Sequence, residues 1–89
     1  MSAQASPSLP HHMATWSEVI VRLASNGVTI DKSASGYFFV RKIGTMFVSF
    51  ALPIGFNPND PDSIGKPSPN ALYTIERVLD VRIGYYHLM

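Results

Sequence analysis

Residues 35–53 read SGYFFVRKIGTMFVSFALP, two apolar runs joined at a short segment that must turn. No other stretch constrains the fold as strongly. The runs are rich in aromatic and β-branched residues, which suit a pleated and partly buried surface, and Pro53 cannot donate to a further ladder. An antiparallel hairpin is expected, with its tip at Lys42-Ile43-Gly44.

The tip admits two registers. A two-residue loop centred on Ile43-Gly44 in primed geometry would hold β-branched Ile43 at φ > 0, which is costly. A three-residue loop, Lys42-Ile43-Gly44, asks for φ > 0 only at Gly44, where no Cβ opposes it. The second is the expected one, and it sets Arg41 opposite Thr45. Side chains then sort by the period of two. Phe38, Val40, Met46, Val48, Phe50 and Leu52 form an expected core face. Tyr37, Phe39, Arg41, Thr45, Phe47, Ser49 and Ala51 form an outer one.

Two helices flank this hairpin. TWSEVIVRLASNG begins with Thr15 as cap and Glu18 placed to complete a capping box. Trp16, Val19, Ile20 and Leu23 make one apolar stripe at i, i+3, i+4 and i+7, and Asn26-Gly27 supplies a left-handed stop. Val28–Ile30 is a short β run, and DKSASG a turn. The second helix opens at Ser68, with Pro69 at its first position. Its expected apolar face is Ala71, Leu72, Ile75, Val78 and Leu79. It ends either near Asp80 or at Gly84. The run VRIGYY also alternates like an edge strand, through Val81, Ile83 and Tyr85.

The expected fold is α+β and two-layered: a small antiparallel sheet in the order α-β-β-β-α, both helices on one face, with an extra C-terminal edge strand as a further element. Residues 1–13, small, polar and proline-containing, read as a flexible tail. Residues 14–89 form one domain with a long loop at 53–67, a length that is usually functional or mobile.

Chemistry is sparse. The adjacent His11 and His12 have no third ligand near them in sequence. Asn57, Asn59, Asp60 and Asp62 invite a calcium reading, but no frame has the required spacing. SIGKPS lacks the first glycine of a phosphate loop. Glu76 and Asp80, four apart on a helix, read as solvated charges. There is no cysteine. No catalytic residue, metal site, cofactor or small-molecule substrate is therefore expected, and the chain reads as a non-enzyme. No run approaches the ~20 apolar residues of a membrane span, and no signal-peptide pattern opens the chain. The expected location is the cytoplasm.

The run SEVIVRLASNGVTI, then SGYFFV and TMFVSFALP, then TIERVLDV resembles the double-stranded-RNA-binding-domain fold and, in compact form, the HicA-type messenger-RNA-cleaving toxins. The resemblance covers about residues 15–82 and is one of pattern. In that family a glycine, a serine and histidines sit on the first hairpin strand, and a histidine there is catalytic. Here the comparable place reads Ser35-Gly36-Tyr37-Phe38, and only Lys66, Arg77 and Arg82 supply the basic charge usual around the second helix. The resemblance thus implies an RNA-binding module without cleaving activity.

The composition points to a partner. Of 89 residues, 46% are apolar and only 15% charged, against roughly 25% charged in ordinary globular chains. Tyr37, Phe39 and Phe47 with Arg41 and Lys42 are the expected contact residues, since aromatic side chains with arginine characterise interface cores. Three covers for that face compete. They are the loop 53–67 or the terminal YYHLM folding back, a protein partner or second copy, and RNA stacked on Tyr37 and Phe39. A net charge of +1 disfavours the last, because phosphate binding rests on a basic excess. The expected function is protein–protein contact, as a homodimer or as a regulator that inhibits or adapts a larger complex.

Overall fold

The computed structural model describes residues 9–10 and 14–86. The elements are β1 (Leu9–Pro10), α1 (Trp16–Ala24), β2 (Thr29–Ser33), β3 (Gly36–Ile43), β4 (Met46–Ala51), a 3-10 turn at Pro61–Ile64, α2 (Pro69–Leu79) and β5 (Tyr85–Tyr86). The main sheet is antiparallel in the order β2-β3-β4. The chain is an α+β domain with the expected α-β-β-β-α order.

Local chemistry sets the helix ends. The Thr15 hydroxyl accepts the Glu18 N–H at 3.1 Å, while the Glu18 carboxylate pairs with Arg22 at 3.0 Å, one turn on. At the other end Val28 N–H reaches back to Leu23 O, and Gly27, at φ +79, bonds Ala24 O. This is a Schellman closure. Ser68 caps α2 by accepting the Ala71 N–H at 3.0 Å, and the helix stops at Leu79 with Asp80 left-handed at φ 54.

The core lies between the helices and one sheet face. Trp16, Val19 and Leu23 of α1 and Leu72, Ile75 and Leu79 of α2 close over Phe39 and Leu52, joined by Phe56, Val81 and Ile83. Burying one such side chain is worth about 1.5–3 kcal/mol. Val78, expected on the inner stripe of α2, is 38% exposed.

Two expectations about the β elements are corrected. The first turn is tighter than DKSASG implied: β2 runs through Asp31, Lys32 and Ser33, and Ser33 pairs with Gly36. Nor do residues 81–86 add a fourth strand to the main sheet. Val81 and Ile83 are buried in the core, and Tyr85–Tyr86 pairs in parallel with Leu9–Pro10 as a separate two-stranded piece. Most of the expected N-terminal tail, including His11 and His12, and the last three residues of YYHLM lie outside the described residues.

Candidate interaction surface

The turn between β3 and β4 decides which side chains meet a partner. Ile43 pairs with Met46, so the loop is the two residues Gly44-Thr45. Gly44 has φ +62, and Thr45 is not among the residues at positive φ. These are the φ signs of a type II′ turn, whose first central position calls for glycine. Like the expected three-residue loop, it places only Gly44 at positive φ.

The consequence is large. Arg41 stands opposite Val48 rather than Thr45. An odd shift exchanges the faces of one strand relative to the other. The expected face assignment therefore holds for β4 and is reversed for β3.

Three of the five expected contact residues point inward as a result. Phe39 is 1% exposed, between Trp16 and Phe50 with ring centroids 6.3 Å from each. Tyr37 is half-buried, edge-on to Phe56 at 5.7 Å. Arg41 Nη1 donates to Leu79 O at 2.9 Å and to Asp80 O at 2.6 Å, at the C-terminal end of α2. The helix end concentrates unpaired carbonyls and partial negative charge there, which favours a cation.

Lys42 and Phe47 remain on the outer face. Phe47 is 68% exposed, and Lys42 Nζ lies 5.9 Å from its ring centroid. The register adds Phe38 and Val40, both half-buried, and the exposed Thr29 and Asp31 to this face, where Ser49 and Ala51 stay as expected. Phe38 and Val40 stand outside the group packed against the Phe39 cluster. Sequence reasoning assigned them to the core; the II′ preference for glycine before a non-glycine residue was the signal that could have found them.

The long loop packs on the helical side. Phe56 is buried and Ile64 packs against the core, while Ser17 Oγ donates to Asp62 Oδ2 at 2.6 Å and Ser17 N–H to Oδ1 at 3.2 Å. The Ser17 hydroxyl bond holds the Asp62 carboxyl below its ordinary 3.8; desolvation opposes it, and backbone donors at Ser17 and Trp16 assist. Asn57 Oδ1 accepts the Asn59 N–H at 2.9 Å, as turn chemistry would have it. Glu76, one of the two helix carboxylates, is half-buried and accepts the Ile83 N–H at 3.0 Å.

Among the described residues no three metal-ligating side chains converge, and no helix is long and apolar enough to cross a membrane. Comparison of the chain with protein-family models, with curated proteins and with solved structures finds no match to any of them.

Proposed function

We propose that this chain is a small non-catalytic binding domain that works in the cytoplasm by gripping another polypeptide with the outer face of its sheet. The observation that carries this is Phe47, a phenylalanine 68% exposed and diagonal to Val40, on the face opposite the helices that also carries Phe38. Contiguous apolar surface of this kind on a folded domain usually marks a contact site. The role is that of a homodimer or of a regulator that inhibits or adapts a larger assembly.

The resemblance to RNA-binding folds supports a competing reading that is weaker on this geometry. Tyr37 and Arg41, the side chains that would have stacked on bases and met phosphate, are engaged with Phe56 and the end of α2. The outer face offers Lys42 against Asp31, which is no net positive charge for a phosphate backbone.

A photo-crosslinking residue placed at position 47, with one at Ile54 as the exposed control (102%), tests the reading in cells. The expected result is a protease-sensitive adduct at position 47 and none at 54. Equal yields at both positions, or an adduct removed by ribonuclease, would overturn it.

A further inference from the structure

The two edges of the main sheet are built differently. β2 carries Asp31 and Lys32, both exposed, and charges of this kind protect an edge from pairing. β4 reads MFVSFA, without charge, proline or glycine. An edge strand of that composition is a template for another strand.

Hydrogen-bond parity shows which groups β4 presents. Leu52 N–H bonds Tyr37 O at 2.9 Å, so Leu52, Phe50, Val48 and Met46 direct their backbone groups toward β3. In an antiparallel ladder the alternate residues point away. The N–H and C=O groups of Phe47, Ser49 and Ala51 therefore face outward, and among the described residues no strand other than β3 pairs with β4.

We infer that β4 pairs antiparallel with β4 of a second copy about a two-fold axis at Ser49, making a continuous six-stranded sheet. The strand is self-complementary in that register. Side-chain faces match across a continuous sheet only when the paired numbers share parity, and among such registers the one that pairs all three outward residues puts Ser49 opposite Ser49, Phe47 opposite Ala51 and Val48 opposite Phe50. The large Phe47 meets a small residue on the outer face. On the inner face a β-branched residue meets an aromatic one, a favourable cross-strand pair, and at the axis two small hydroxyl side chains meet without a clash of charge. All three outward residues of each copy then satisfy both backbone groups. No charge on either strand opposes the pairing, and the charged β2 edges stay at the rims. The inference goes beyond the proposed function, since it uses the open edge of β4 and not the outer face of the sheet, and it rests on that function only for the claim that contact is what the chain is for.

Light scattering on the full chain should give twice the 9.8 kDa chain mass. Ser49→Lys sets two cations face to face at the axis and should give a monomer, as should Ser49→Glu; mixing the two should restore the dimer. In the unaltered protein, amide exchange at Phe47, Ser49 and Ala51 should be as slow as at Val48 and Phe50. A monomer at every concentration, a mixture that does not recombine, or fast exchange at those three amides within a dimer would overturn the pairing. Any of these results would leave a position-47 adduct to a different protein, and so the proposed function, standing. Should a variant fail to fold, exchange in the unaltered chain decides.

Discussion

Arg41 Nη1 lies 2.9 Å from the carbonyl oxygen of Leu79, so a cation on the inner sheet face closes the last turn of α2. The second bond, to Asp80 O, reaches the capping residue itself. Hydrogen bonds to charged groups contribute more than neutral ones, and the helix C-terminus adds its own attraction. Arg41→Met should cost about 1–2 kcal/mol. The check is a lower urea midpoint at unchanged slope, with Arg41→Lys recovering part of the loss.

Phe39 and Phe47 differ in what they hold together, though both belong to one hairpin. Phe39→Ala empties a site between Trp16 and Phe50 and should destabilise by about 3–5 kcal/mol. Phe47→Ala should stay within about 0.5 kcal/mol in a chain held monomeric by Ser49→Lys. Chemical denaturation of the pair measures both, and two similarly small costs would mean that β3 faces the other way.

Asp80 sits at φ 54, in the C-cap region where glycine is at ease. Its carbonyl, not its side chain, meets Arg41, so Asp80→Gly leaves that bond in place. The substitution should raise stability by about 0.5–1 kcal/mol by removing left-handed strain, read as a higher melting temperature.

Asp62 ties the long loop to the first turn of α1. Its folded pKa is lowered by the Ser17 hydroxyl bond, so the ionised form is favoured in the folded state. The stability it supplies is present above the ordinary value of 3.8 and is lost as pH falls through the lowered one. Unfolding midpoints of the unaltered chain and of Ser17→Ala should therefore differ at neutral pH and converge in acid. A gap that widens on acidification would have the wrong sign.

Local chemistry made the helices legible. Thr15 and Ser68 supply hydroxyl caps, Gly27 takes the left-handed stop, and Trp16, Val19 and Leu23 repeat at helical spacing, all within a few residues of one another. The faces of β4 were legible too, because Val48, Phe50 and Leu52 contrast sharply with Ser49 and Ala51. β3 offers no such contrast: Tyr37, Phe39 and Arg41 on one side and Phe38, Val40 and Lys42 on the other each combine two apolar side chains with one cation. Hydrophobic burial is non-directional, so periodicity alone cannot choose between them. By itself, then, the sequence determined the element order, both helix starts, the stop of α1 and the inner face of β4, while the choice between Asp80 and Gly84 as the end of α2 came from the fold. Tertiary structure decided the face of β3: the type II′ turn at Gly44-Thr45 aligns Phe39 with Trp16, and the end of α2 holds carbonyls where Arg41 arrives. A cation could be placed inward only because a helix from the far end of the chain ends beside it.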